Sequence, residues 1–267
     1  MDSADLLQLE SDLQSLGLDV MAAHVGEYAE RAARDNTSYI DFLRDVLRPE
    51  LDMRQTRWVD TRIKLAGFPF RKTLADFDFA FQPAVDERLV RELAMLSFLD
   101  RHENVIFLGP PGVGKSHLAI ALGMEAIRHR AGVYFTTAHS LVTDLRTAHA
   151  RGNFEARLRV YTKPRLLIID ELTYAPFDQH DAANFFRLVS ERYERGSIIL
   201  TANRSYGEWG QLFHDPVLAT AILDRLLHHS VTLNIKGGHS YRLKDKTKAG
   251  ILGPEASAGL IPASTGV

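Results

Sequence analysis

The stretch Val105-Ile106-Phe107-Leu108-Gly109-Pro110-Pro111-Gly112-Val113-Gly114-Lys115-Ser116-His117-Leu118-Ala119 constrains this chain more than any other. An apolar strand-like run, a glycine-rich loop and the opening of a helix follow without a break. Residues 109–116 fit G-x-x-x-x-G-K-[ST], the spacing of a phosphate-binding loop. Glycines let the backbone bend back with N–H groups turned inward and no Cβ in the way. The helix that follows points its positive dipole end at the same place. In such a loop Lys115 reaches the outer phosphates and the Ser116 hydroxyl ligates Mg2+. Leu118, Ala119, Leu122 and Ile127 keep helical spacing beyond it. The competing reading is a Gly-Pro turn between a strand and a helix.

The 267 residues are enough for one large or two modest domains, and a 45% hydrophobic content is that of a globular protein. A net charge of −2 supports no global electrostatic claim about partners. The absence of cysteine excludes disulfides, thiolate metal sites and cysteine nucleophiles. The opening Met1-Asp2-Ser3-Ala4-Asp5 lacks the basic-then-apolar pattern of a signal peptide. No apolar run reaches the length of a membrane span, so the expectation is a cytoplasmic protein with no membrane partner.

Residues 1–66 are expected to form a helical unit. Leu6, Leu9, Leu13 and Leu16 repeat at helical spacing and Gly17 ends that helix; a second covers about 20–35. A third covers 38–64, where Pro49 leaves open whether it is one helix or two. Acidic residues dominate up to Asp52. Arg54, Arg57, Arg62, Lys64, Arg71 and Lys72 follow, either a solvated face or a contact for nucleic acid or a partner. Residues 67–83 form a linker rich in phenylalanine, expected to bury its rings against a domain surface.

From 84 to 248 the pattern is strand and helix in alternation. Helices are expected at 84–101, 115–129, 140–150, 178–195 and 217–229, with Ser140 a possible cap of the third. A short helix carries Trp209 and Leu212. Strands are expected at 104–108, 132–136, 166–170, 197–202 and 230–235. Five such strands alternating with helices argue for a parallel α/β sheet. The Gly-, Ala-, Ser- and Pro-rich segment 249–267 reads as a disordered tail.

Leu166-Leu167-Ile168-Ile169-Asp170-Glu171 is an aliphatic run ending in two acids. The aliphatics suit a central strand buried on both faces. Asp170 then sits at the strand's carboxyl end, where a parallel sheet meets its ligand, and is placed to hold the Mg2+ shell. Glu171 is placed to polarise the water that attacks a γ-phosphate, which separates a hydrolase from a kinase that must exclude water. The competing reading is a strand ending in a solvated acidic turn. Asn203, after the fourth strand, is either a polar contact for that water or an ordinary turn residue. Arg225 either reaches the γ-phosphate of a neighbouring subunit or pairs with Asp224.

These residues resemble the IstB-like family of ATP-dependent helpers of insertion-sequence transposition. They are similar, more distantly, to DnaC-type helicase loaders and DnaA-type initiators, all of the AAA+ class. The resemblance rests on the loop, on Leu167-Ile168-Ile169-Asp170-Glu171-Leu172-Thr173-Tyr174-Ala175-Pro176, on Glu191-Arg192-Tyr193-Glu194, on the segment 221–228, on Ser240-Tyr241-Arg242-Leu243 and on the linker segment 72–79. It implies an AAA+ P-loop NTPase with a five-stranded parallel sheet flanked by helices, a short or absent lid, and an N-terminal all-helical domain. It implies that Gly109, Pro110, Pro111, Gly112, Val113, Gly114, Lys115, Ser116 and His117 bind ATP. Asp170 and Glu171 are then the Walker B acids, Asn203 sensor 1, Arg225 the arginine finger and Arg242 sensor 2. Family members often carry Gly where Thr173 stands and Ser where Ala202 stands.

The implied activity is ATP hydrolysis by a homo-oligomer that forms with ATP on duplex DNA and stimulates or targets a partner transposase of IstA type. Arg146, Arg151, Arg157 and Arg159 are the candidates for DNA phosphates, or else a solvated basic loop. His228, His229 and His239 suggest a surface role rather than a metal site. The alternatives are a replicative helicase loader, which the N-terminal helices would decide, and a metabolic P-loop kinase.

Overall fold

The computed structural model describes residues 3–175, 177–237 and 240–241. Arg242, His239 and the segment 249–267 lie outside the described residues. The chain divides into two compact units, the first ending at Thr61 and the second starting at Arg62.

The first unit holds α1 (Ser3–Ser15), α2 (Asp19–Asp35) and most of α3 (Tyr39–Leu65). Leu13, Ala22, Val25 and Val46 form its small core. Glu50 accepts hydrogen bonds from the backbone N–H groups of Val20 and Met21, at 3.0 and 3.3 Å, so α3 satisfies the open N-terminus of α2. The third helix runs unbroken through Pro49. Asp45, whose carbonyl loses its helical donor to the proline, is exposed, and solvent can take that donor's place.

After the end of α3 and the phenylalanine-rich stretch, the second unit holds α4 (Glu87–Leu93) and α5 (Ser97–Asp100), followed by β1 (Asn104–Leu108) and α6 (Lys115–Arg128). The single helix expected at 84–101 is in fact two. Leu96, at φ +63°, turns the chain between them. In one continuous helix Phe98 would point about 140° away from Leu93. The turn lets Leu93, Leu96, Phe98 and Leu99 all reach the interior.

Next come β2 (Val133–Thr137), α7 (Ala138–Ala150), α8 (Phe154–Thr162) and β3 (Leu166–Asp170). The cap of α7 is Thr137, not Ser140. Its hydroxyl accepts from the Ser140 backbone N–H at 3.1 Å. Sequence reasoning allowed a solvated basic loop around Arg157 and Arg159, but the segment is a helix in which Phe154, Leu158 and Tyr161 share one face and the last two are buried. The chain continues with α9 (Gln179–Arg192), β4 (Ser197–Ala202), α10 (Trp209–Leu212), α11 (Pro216–His228) and β5 (Ser230–Asn234).

The five strands form one parallel sheet in the order β2-β3-β4-β1-β5. β1, β3 and β4 are buried along their whole length, as strands covered by helices on both faces must be. All five strands run in one direction. The loop after β1, the acids ending β3 and the segment after β4 therefore meet at one edge. Among the described residues no helix is long and apolar enough to cross a membrane.

Candidate functional site

At the carboxyl ends of the strands lies a cleft of about 820 Å3. Its walls include Lys115 and Ser116 of the loop, Asp170 and Glu171 after β3, Thr201 and Asn203 of the fourth strand and its exit, and Thr137. Lys115, Ser116, Asp170, Glu171 and Asn203, which sequence reasoning named from separate segments, lie around this one cleft.

The loop itself depends on residues without side chains. Gly109 has φ +149°, and a Cβ there would lie 2.6 Å from the Ile235 carbonyl oxygen. Gly114 has φ +98°, and a Cβ there would meet the Phe77 ring at 2.6 Å. Lys115 curls over the loop, donating to the carbonyl oxygens of Gly109 at 2.7 Å and Pro110 at 2.8 Å. Its cationic head is thus held at the mouth of the loop by main-chain carbonyl oxygens.

The two halves of the site are joined by hydrogen bonds. The Ser116 hydroxyl donates to Asp170 Oδ1 at 2.8 Å, and Asp170 is only 6% exposed. The Thr201 hydroxyl donates to the same oxygen at 2.5 Å. The Glu171 backbone N–H in turn donates to Thr201 Oγ1 at 2.9 Å. Glu171 adopts the left-handed conformation at φ +59°, which ends the strand abruptly beside the cleft. A hydroxyl and a carboxylate side by side are the hard oxygen donors that Mg2+ takes, so the residues present fit that ion.

Asn203 also lines the cleft. Its side-chain oxygen accepts from the Thr173 hydroxyl, and its backbone N–H donates back to Thr173 Oγ1 at 3.4 Å.

The phenylalanine-rich stretch closes the other side. Pro69, Phe70 and Lys72 line the cleft. Phe77 packs against His117 and Tyr241, with ring centroids 5.2 and 5.4 Å apart. His117, the last residue assigned to the loop, faces this stretch: its Nε2 hydrogen-bonds the Thr73 carbonyl oxygen at 2.8 Å. Burial lowers its pKa, against the partial compensation of that hydrogen bond. Tyr241 bonds the loop through its backbone N–H, 2.9 Å from the Gly112 carbonyl oxygen, and bonds the Asp78 carbonyl oxygen through its hydroxyl at 2.6 Å. Burial pushes that phenol up to about 12.

Other candidates lie elsewhere. Arg225 is on the last turn of α11, beside the amino end of β5 and so at the opposite edge of the sheet. Its guanidinium lies 4.6 Å over the Phe186 ring and donates to the Ala221 carbonyl oxygen at 3.3 Å. Arg146 pairs with Asp181 and, at 3.3 Å, with Asp178. Arg157 pairs with Asp144. Arg151 and Arg159 are exposed, with Arg159 donating to the Glu155 carbonyl oxygen at 3.3 Å. His228 and His229, with Glu194, bring three exposed donor atoms within 4.8 Å of one another.

Sequence reasoning missed Thr137, Thr173, Thr201 and Tyr241 as site residues. Thr173 and Tyr241 stood in segments that carry the resemblance without being assigned a role, and Thr201 read as an ordinary strand residue.

Comparison with known proteins agrees with this architecture. The chain is 53% identical over 231 residues to the ATP-binding protein of insertion sequence IS5376 of Geobacillus stearothermophilus, covering 86% of this chain and 92% of that one. It is 49% identical over 245 residues to the ATP-binding protein of insertion sequence IS21 of Pseudomonas aeruginosa, covering 92% of each. Among solved structures the DnaC helicase loader superposes with a TM-score of 0.51 at 20% identity, covering 66% of this chain and 99% of that one. The family model described as IstB-like ATP binding protein matches residues 11–249. A glycine loop, paired acids and a 2-3-4-1-5 parallel sheet thus come together in a chain that belongs to the IstB-like ATP binding protein family and has the AAA+ P-loop fold.

Proposed function

We propose that this chain is the ATP-hydrolysing helper of an insertion sequence: it assembles with ATP on duplex DNA and stimulates or targets its partner transposase. The observation that carries the reading is the contact of Ser116 with Asp170, which joins the glycine loop to the acids of β3 inside one cleft. In this reading the loop and Lys115 bind the triphosphate, and Lys115 exchanges the carbonyls of Gly109 and Pro110 for phosphate oxygens. Ser116 and Asp170 hold Mg2+, which when bound offsets the phosphate charge. Glu171 accepts a proton from the attacking water, and Asn203, steadied by Thr173, orients that water or the γ-phosphate.

Arg225, at the opposite edge of the sheet from its own cleft, serves the cleft of a neighbouring copy. Arg242 is assigned to sensor 2 by resemblance alone. Arg146 and Arg157 are already engaged with aspartates, so among the four arginines Arg151 and Arg159 are the better placed for DNA phosphates. The names of the insertion-sequence relatives support the transposition role, and their ATP-binding designation supports the nucleotide.

The test is phosphate release from ATP by the purified chain, with and without duplex DNA. The reading expects release that DNA modulates and that Glu171→Gln stalls while nucleotide binding persists. Unchanged turnover in Glu171→Gln would remove the water-activating role. Capture of an integrase-type transposase supports the transposition role; capture of a replicative helicase in its place favours the loader alternative. Phosphate release with no phosphorylated acceptor excludes the kinase.

A further inference from the structure

We infer that Thr201 is a positioning residue of the cleft, whose one hydroxyl sets both the carboxylate of Asp170 and the backbone turn that presents Glu171. The inference rests on the function proposed above, and it concerns a residue to which that proposal gives no part.

Backbone pairing of β3 with β4 runs from Leu166 with Ser197 to Ile169 with Leu200. The next step along the two strands puts Asp170 beside Thr201. Neighbouring residues of parallel strands send their side chains to the same face, so the two meet side by side. There the side chains take over the connection. The proton of the Thr201 hydroxyl goes to Asp170 Oδ1 at 2.5 Å, and its lone pair receives the Glu171 N–H at 2.9 Å. Thr201 is 1% exposed, so water cannot readily substitute for either bond.

Each bond has a distinct consequence. Asp170 Oδ1 takes two hydroxyl donors, Ser116 from the loop helix and Thr201 from the sheet. Ser116 stands in the first turn of α6, next to the glycine loop, whereas Thr201 sits in a strand buried along its whole length. Thr201 therefore sets the orientation of a carboxylate that has to meet a cation. The second bond bears on Glu171. A non-glycine residue at φ +59° is disfavoured on its own and persists where surrounding contacts specify it. The hydroxyl of Thr201 gives that turned residue's N–H its acceptor. Remove the hydroxyl, and the metal-shell acid and the water-activating acid lose their shared reference point together.

A valine in place of Thr201 is isosteric and suits a strand equally well, so hydrogen bonding is what the change removes. The test uses the full chain with Thr201→Val and Thr201→Ser, reading ATP turnover, the Mg2+ concentration for half-maximal turnover, and the affinity of a fluorescent ATP analogue in EDTA. Thr201→Val is expected to lower kcat and raise the Mg2+ requirement by about 10- to 100-fold in combination, the usual effect of losing a group that orients a metal ligand. Analogue affinity without Mg2+ should stay at the wild-type value, because Lys115 and the loop are untouched. Thr201→Ser, which keeps the hydroxyl, should restore both losses.

Wild-type turnover and Mg2+ dependence in Thr201→Val would overturn the inference, as would equal losses in Thr201→Ser. Should Thr201→Val not fold, amide exchange in the wild type decides. Slow exchange at Glu171 supports the inference, and exchange at the rate of an open loop overturns it. Failure of the wild type itself to bind or hydrolyse ATP would overturn the proposed function instead, so the two failures are distinct.

Discussion

Lys115 and Arg192 are both held by main-chain carbonyl oxygens, and they stand at opposite edges of the same sheet. Lys115, at the carboxyl edge, donates to Gly109 and Pro110 and opens onto the cleft. Arg192, at the amino edge, is 1% exposed and donates to the carbonyl oxygens of Tyr161, Thr162, Pro164, Arg165 and Ser197. Its five acceptors tie the end of α8 to the starts of β3 and β4. Burial lowers its pKa to about 10, which still leaves it charged at neutral pH.

The difference lies in how replaceable the acceptors are. A cation bound by loop carbonyls at the mouth of a cleft can exchange them for phosphate. A cation sealed among five cannot exchange any without unfolding its surroundings. Both residues stand in motifs that carry the family resemblance, so motif membership alone does not separate a chemical role from a structural one.

The sharpest way to break this comparison is Arg192→Met. It should cost about 3–5 kcal/mol, because five carbonyls, two of them in fully buried contacts, lose their donor together. A drop in melting temperature of about 10 °C is the expected reading. A drop of only a degree or two would show that the acceptors find other partners and that the edge is not held by this side chain.

Lys115→Ala should do the reverse. ATP affinity should fall about 100-fold or more, roughly 3 kcal/mol, while the melting temperature stays within a few degrees of wild type. Calorimetric titration and thermal unfolding on the same sample read both.

Glu171→Gln keeps the shape of the cleft and should slow hydrolysis by about 100-fold with ATP still bound. Single-turnover phosphate release measures it, and intact release would take the acid out of the chemistry.

Arg225→Ala sharpens the comparison, since Arg225 shares the amino edge with Arg192 yet is half-buried. Turnover should fall about tenfold with little change in stability. Mixing it with Glu171→Gln, which leaves Arg225 intact, should recover part of the turnover if the two act across a subunit boundary. No recovery would confine Arg225 to its own chain.

The smallest effect concerns pH. Burial lowers the pKa of His117 below the ordinary value of 6.5. The unfolded chain therefore binds the extra proton first as the pH falls below 6.5, and stability declines from there towards the folded pKa. His117→Gln should flatten the slope of melting temperature between pH 7 and 5. An unaltered slope would show that other groups set it.

Much of the site was legible in order along the chain. A glycine loop after an aliphatic run, and two acids after another, are local patterns, and the backbone conformations they need are short-range. The positions of Asp170 and Glu171 followed because a parallel sheet presents every strand's carboxyl end to one edge. What was not legible depended on pairing between distant segments. Thr201 looked like one more strand residue until β4 was laid beside β3. Thr173 looked like a departure from the family pattern until it met Asn203. The break at Leu96 and the buried face of α8 were missed for a related reason: in both places packing overrode the local pattern.

By itself, then, the sequence determined the alternation of strands and helices, the glycine-rich loop and the place of the paired acids, because hydrophobic period and glycine placement act over a few residues. The tertiary structure alone decided the strand order, the partners of Asp170 and Asn203, and which of two carbonyl-bound cations faces a cleft. Those outcomes turn on which strands lie side by side and which groups lose contact with water, and neither is written in any single stretch of the chain.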